Sequence, residues 1–292
     1  MAVQTTDVTI AAQDGLRLHA RRYDPSQGAQ SVPVLCLPGL TRTTEDFDAL
    51  AAALAADATR PRRVIALDYR GRGQSEYDPN PANYSLPVEL GDVLAAISAL
   101  HASPAIIIGT SRGGLLAMLL GALRPDLVAG IVLNDIGPVI EPAGLKRIKS
   151  YVGKMPQPDN FESAARTLKG LFGDQFPNLT DADWLLSARR AFKQEHGTLV
   201  TTYDPKLAQT LETLTFDQPL PDLWKEFDAL SGIRMMVVRG SLTDILSTQT
   251  LSAMRDRHPG LQTLEVADQG HAPLLAEPST IGRIADFVRG CA

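Results

Sequence analysis

Cysteine is nearly absent from this 292-residue chain, which holds only Cys36 and Cys291. Two thiols cannot build a disulfide framework or a cysteine-based zinc site. No block of Lys and Arg occurs, and the formal net charge is −5. That balance argues against a nucleic-acid or anionic-membrane partner. No stretch approaches the roughly 18 uncharged apolar residues that a membrane span needs. The opening MAVQTTDVTI lacks a basic stretch followed by an apolar one, so no secretory signal and a cytoplasmic location are expected. Internal repeats and low-complexity tracts are missing too. What remains is a chain that is 44% hydrophobic, long enough for one large α/β domain or two modest ones.

Short apolar runs alternate with helical patterns over the first 135 residues. DVTIAA (7–12) and LRLHARRY (16–23) flank an Asp14-Gly15 hairpin turn. PVLCLPG (33–39), RVIALDYRG (63–71), AIIIGTS (105–111) and GIVLNDIG (130–137) are β-branched runs suited to parallel strands covered on both faces. Helical patterns separate them at about 43–57, 86–101 and 112–123. This rhythm predicts a doubly wound, mostly parallel α/β sheet. It stops near Pro138, and no strand is expected from there to about residue 225. Amphipathic patterns at 161–172 and 182–194 read as helices of an insertion. IRMMVVRG (233–240), LQTLEVA (261–267) and a last helix at about 279–289 then restore the α/β pattern. The expected organisation is a core of 1–137 and 223–292 interrupted by a helical lid at 138–222.

The sharpest motif is Gly109-Thr110-Ser111-Arg112-Gly113, a G-x-S-x-G. Alone it is weak, but it lies where a strand ends and an apolar helix begins, the setting this motif requires. A strand turning abruptly into a helix brings two backbones together, so positions 109 and 113 must be small. Ser111, at the apex, is pushed clear of the backbone. The helix N-terminus below it supplies partial positive charge. A tight turn with serine as an ordinary helix cap is the plain alternative.

Serine needs a base, and the chain has five histidines. His19 and His101 read as surface residues, His196 as part of the insertion and His258 as a helix end. His271 follows the last strand on a glycine-containing loop, on the edge where a doubly wound sheet builds its site. An orienting acid should also follow a strand end. Asp244, in RGSLTD (239–244), fits best, with Asp135 at the end of the preceding strand as its competitor. The oxyanion donors expected are the backbone N–H groups of Arg112 and of Leu40, in the turn LPGLT (37–41).

These residues resemble the α/β-hydrolase superfamily along nearly the whole chain. LPGLTR (37–42) is similar to its oxyanion turn, with Pro38 where many members have His; DYRGRGQS (68–75) is similar to its D-x-R-G-x-G-x-S loop. GTSRGG (109–114), RGSLTD (239–244) and GHAPLLAEP (270–278) are similar to its elbow, acid loop and histidine loop. The resemblance implies an eight-stranded sheet with a helical lid after the sixth strand, and a bracing role for 68–75. Ser at 111 departs from members with an Asp nucleophile, the haloalkane dehalogenases and epoxide hydrolases.

The function expected is hydrolysis of carboxylic esters by a Ser111–Asp244–His271 triad, without cofactor or metal, on a small-molecule substrate. Other readings stay open: cleavage of a carbon–carbon or amide-like bond in a carboxylated substrate, a non-catalytic receptor, or a cofactor-free oxygenase. Arg42, Arg112, Arg189 and Arg190 are candidates to bind a substrate carboxylate. Phe47, Trp184 and Trp224 are candidates to line the pocket.

Overall fold

A computed structural model describes residues 3–26, 31–212, 214–216 and 220–291. Met1 and Ala2, which begin the segment read above for a signal, lie outside them, as do residues 213 and 217–219 of the insertion.

The chain opens with the hairpin β1 (Val3–Ala11) and β2 (Arg17–Pro25), turning at Asp14-Gly15. There follow β3 (Val34–Leu37), α1 (Asp48–Ala55), β4 (Val64–Leu67), α2 (Leu86–Ala99), β5 (Ala105–Thr110), α3 (Arg112–Leu123) and β6 (Val128–Asn134). The chain then leaves the sheet as α4 (Pro142–Tyr151), α5 (Phe161–Phe172), α6 (Asp181–Ala191), β7 (Phe192–Glu195), β8 (Thr198–Thr201) and α7 (Gln209–Glu212). It returns through α8 (Trp224–Asp228), β9 (Met235–Gly240), α9 (Thr248–Arg257), β10 (Gln262–Val266) and α10 (Pro278–Arg289).

The main sheet has eight strands in the order β1-β2-β4-β3-β5-β6-β9-β10. Every pairing from β4 to β10 is parallel, and β2 runs against both its neighbours. Alternation across the pleat splits the core cleanly. Leu35, Leu37, Ile65, Ile107, Leu133 and Val237 face α2, α3 and α9, while Val34, Cys36, Ala66, Ile108, Val132 and Val238 face α1 and α10. Both faces are dry, which is why these strands read as unbroken apolar runs. Each fully buried Leu or Ile there contributes about 1.5–3 kcal/mol of hydrophobic stabilisation.

The strand order reverses between β3 and β5. A crevice opens outside their carboxyl ends, where a doubly wound sheet places its ligand. Over that edge sits the insertion, with a small core of its own around Ala164, Leu168, Phe176, Trp184 and Phe192. Its α5 and α6 begin at capping boxes, Asn160 with Ser163 and Thr180 with Asp183, each cap worth about 1 kcal/mol.

The strandless reading of 138–225 is corrected by the β7–β8 hairpin. His196 and Gly197 both take positive φ, 49° and 83°, the geometry of a type I′ turn. The amphipathic pattern at 182–194 runs past the true helix end because Phe192 keeps the apolar phase as the chain changes period. No helix among the described residues is long and apolar enough to cross a membrane.

Candidate active site

The elbow forms because β5 ends at Thr110 and α3 begins at Arg112, leaving one residue to reverse direction. That residue is Ser111, at φ 50° and ψ −111°, a conformation few non-glycine residues adopt. Side chains at positions 109 and 113 are excluded: a Cβ on Gly109 would overlap the Gly113 backbone, and one on Gly113 the Leu37 carbonyl. Asn134 stabilises the apex, its carbonyl accepting from the Ser111 N–H at 3.0 Å. Its side-chain amide donates to the Pro273 carbonyl at 2.9 Å, which ties the elbow to the loop carrying His271.

His271 Nε2 lies 2.8 Å from Ser111 Oγ. Its Nδ1 lies 2.8 Å from Asp135 Oδ2. With the ring proton on Nδ1, the imidazole donates to Asp135 and accepts from the serine hydroxyl. Asp135 is fully buried and takes φ 57°, which turns its side chain toward the histidine loop. Its carboxylate also accepts from the Gly240 N–H at 2.9 Å and the Thr243 hydroxyl at 2.5 Å.

The expectation that Asp244 contacts the histidine is therefore corrected. Asp244 forms a bidentate pair with Arg147 of α4, at 2.6 and 2.8 Å. Burial pushes its carboxyl up, but Arg147, helped by Gln175, outweighs this and holds it below the usual carboxylate range. Gln175 also accepts the His271 backbone N–H at 3.3 Å, so the insertion touches the histidine loop directly.

Gly39 lies alongside Ser111: a Cβ there would stand 3.9 Å from Ser111 Cβ. Among the described residues, the backbone N–H groups of Leu40 and Arg112 have no protein acceptor.

Ser111 and His271 open into a cavity of about 150 Å³ between the sheet edge and the insertion. Phe47 and Trp184 line it, with Ile148, Val152, Leu168 and Phe172. Trp224 does not; it stacks on Arg257 with the guanidinium 4.3 Å from its ring. The four arginines separate as well. Arg42 reaches the cavity but pairs with Asp46 at 3.2 Å. Arg112 points away, to Glu89 at 2.5 Å, and Arg189 lies over the Phe161 ring. Arg190 lines the cavity and has no hydrogen-bond or ion-pair partner for its side chain among the described residues.

His19, expected at the surface, is buried, and His258 stands at the end of α9 as read and is buried there too. His19 bridges Asp68 at 2.7 Å and Asp7 at 3.0 Å, and His258 contacts the Ile233 carbonyl at 2.9 Å.

A doubly wound sheet with a serine on its nucleophile elbow, a histidine loop after the last strand and a covering insertion defines an α/β-hydrolase-fold enzyme. The chain belongs to the alpha/beta hydrolase family, whose model matches residues 34–281. It is 33% identical over 269 residues to a 3-hydroxybutyrate-oligomer hydrolase of Cupriavidus necator, covering 88% of each chain. It is also similar to a 2-(acetamidomethylene)succinate hydrolase of Mesorhizobium japonicum, with 24% identity covering 87% of each. A crystal structure of an alpha/beta hydrolase from Novosphingobium aromaticivorans superposes with a TM-score of 0.90, at 39% identity over 99% of both chains.

Proposed function

We propose that the protein is a serine hydrolase that cleaves short-chain carboxylic esters through a Ser111–His271–Asp135 triad and an acyl-enzyme. The observation that carries this reading is the unbroken path Ser111 Oγ, His271 Nε2, His271 Nδ1, Asp135 Oδ2, with 2.8 Å at each hydrogen bond, opening into a cavity with apolar and arginine side chains in its wall. His271 takes the Ser111 proton as Oγ attacks the ester carbonyl, while Asp135 holds the tautomer and stabilises the imidazolium. The N–H groups of Leu40 and Arg112 receive the oxyanion, each donor worth about 3 kcal/mol in the transition state. His271 then gives its proton to the departing alkoxide. In the second half a water loses its proton to His271, attacks the acyl carbonyl and releases the acid, and Oγ regains a proton.

A cavity of about 150 Å³ suits an acyl chain of a few carbons; engineered cavities of that order hold a benzene-sized guest. Short hydroxyacid esters of the kind that the Cupriavidus relative's name describes fit that size. The unpaired Arg190 favours a substrate with a free carboxylate, whether the scissile bond is an ester or, as in the Mesorhizobium relative's name, that of an acylated enamine.

Steady-state hydrolysis of 4-nitrophenyl butyrate, the 3-hydroxybutyrate dimer and 2-(acetamidomethylene)succinate distinguishes these readings. Turnover of the first two, abolished in Ser111→Ala, is expected. Activity confined to the succinate derivative selects the second reading, and an unimpaired Ser111→Ala variant removes both.

A further inference from the structure

Both residues expected to supply oxyanion donors are gripped by one buried charge cluster beneath the site. At its centre is Glu89 on α2, with no exposed surface. Its Oε2 accepts from Arg112 Nε at 2.5 Å, and its Oε1 lies 2.7 Å from Arg72 Nη1. Arg72 is itself fully buried, and its Nε donates to the Leu40 carbonyl at 2.8 Å. Its Nη1 also donates to the Arg70 carbonyl at 2.7 Å. The Tyr69 and Tyr84 rings cover its guanidinium at 5.6 and 5.5 Å. Arg112 adds a bond to the Tyr84 carbonyl at 3.1 Å. The path therefore runs from the Leu40 peptide through Arg72 and Glu89 to Arg112, the residue after the nucleophile.

We infer that Glu89 and Arg72 are positioning residues for the oxyanion hole, fixing the spacing of the Leu40 and Arg112 amides. Burying three charges is expensive, and such clusters add little stability over apolar packing of the same volume. What this cluster does supply is geometry. A charged donor on the Leu40 carbonyl fixes the peptide plane that follows the Leu40 N–H. A carboxylate on Arg112 fixes the first residue of α3, whose N–H stands beside Ser111. Loops alone would leave the Gly39–Leu40 turn free to drift, and about 1 Å of misplacement costs on the order of 10²-fold in rate. Burial pushes the Glu89 carboxyl up, but its two arginines outweigh that and keep it ionised below the usual range.

This inference rests on the serine-hydrolase reading, and the experiment separates the two. Glu89→Gln and Arg72→Lys are compared with the wild type for kcat and KM on 4-nitrophenyl butyrate. Inhibition by a trifluoromethyl ketone, which adds to Ser111 as an oxyanion, is measured beside its methyl ketone counterpart, and folding is followed by circular dichroism and Tm. The expected result is a fall in kcat of about 10- to 100-fold, less than the loss of a whole donor. Trifluoromethyl ketone affinity falls in parallel, with KM and methyl ketone affinity unchanged. Arg72→Lys keeps a charge beside Glu89 but gives up the Leu40 bond, so it carries the test if Glu89→Gln does not fold. Variants that lose Tm while keeping kcat and ketone affinity per folded molecule overturn the inference alone. A wild type that neither hydrolyses esters nor takes a fluorophosphonate on Ser111 overturns the serine-hydrolase reading and this inference with it.

Discussion

Replacing Asp135 with asparagine tests the one place where the structure departs from the order of motifs read in the sequence. The substitution keeps shape and volume at a fully buried site, so the fold survives. The side-chain oxygen of the Asp135→Asn variant can still accept from the Gly240 N–H, which stands 2.9 Å from the native carboxylate. The new amide nitrogen then faces His271 Nδ1, 2.8 Å from the oxygen it replaces, as a donor. Nδ1 must turn acceptor, the ring proton moves to Nε2, and Nε2 can no longer take the proton of Ser111. The same exchange of carboxylate for amide in serine-protease triads lowers kcat by about 10⁴-fold, roughly 5 kcal/mol of barrier. Asp244→Asn instead breaks a partly exposed pair with Arg147, at about 1 kcal/mol of stability and within about threefold of wild-type kcat/KM. The assay is the initial rate on 4-nitrophenyl butyrate for both variants, with Tm recorded alongside. An Asp244→Asn enzyme as crippled as Asp135→Asn, or an active Asp135→Asn, would refute the assignment.

Other perturbations give equally definite outcomes. Burial lowers the affinity of His19 for a proton, but the carboxylates of Asp68 and Asp7 outweigh it and raise its pKa above the ordinary 6.5. The stability this provides is complete below 6.5 and fades as pH rises through the raised value. His19→Gln is therefore expected to flatten the alkaline decline in stability, measured by urea melts at a series of pH values, and an unchanged slope contradicts that. Trp184→Ala removes an indole that both fills the insertion's core and lines the cavity. It should cost about 3–5 kcal/mol at that core while raising the ratio of hexanoate to butyrate hydrolysis; a fixed ratio places Trp184 outside the acyl path. Gly113→Ala drives a methyl into the Leu37 carbonyl, so a loss of about 1–3 kcal/mol and of most esterase activity is expected, checked by denaturant midpoint and rate.

The sheet was legible because its strands are buried on both faces: AIII, VIAL and MMVV need no partner to be recognised as strands. The elbow was legible because glycine at 109 and 113 is dictated by steric contact within a few residues. What escaped depends on partners far along the chain. Nothing near Asp244 announces that Arg147, 97 residues earlier, will claim its carboxylate. Nothing near Asp135 announces the Gly240 amide, 105 residues later, that holds it. Both acids end or follow a strand, and partners distant in the chain give them different surroundings. Glu89 escaped for a related reason, since a glutamate on an amphipathic helix reads as solvated until the arginines that bury it are known. A local signal did exist for the β7–β8 hairpin, the His196-Gly197 pair, but the helical phase of the preceding residues masked it.

Mapping a fluorophosphonate adduct by mass spectrometry, with ester hydrolysis followed on the same sample, asks whether Ser111 is the nucleophile. One adduct is expected, on Ser111, forming in step with the loss of 4-nitrophenyl butyrate hydrolysis and slowed severely in His271→Ala. Hydrolysis that persists after Ser111 is fully modified, or an adduct that forms elsewhere while activity disappears, would contradict it.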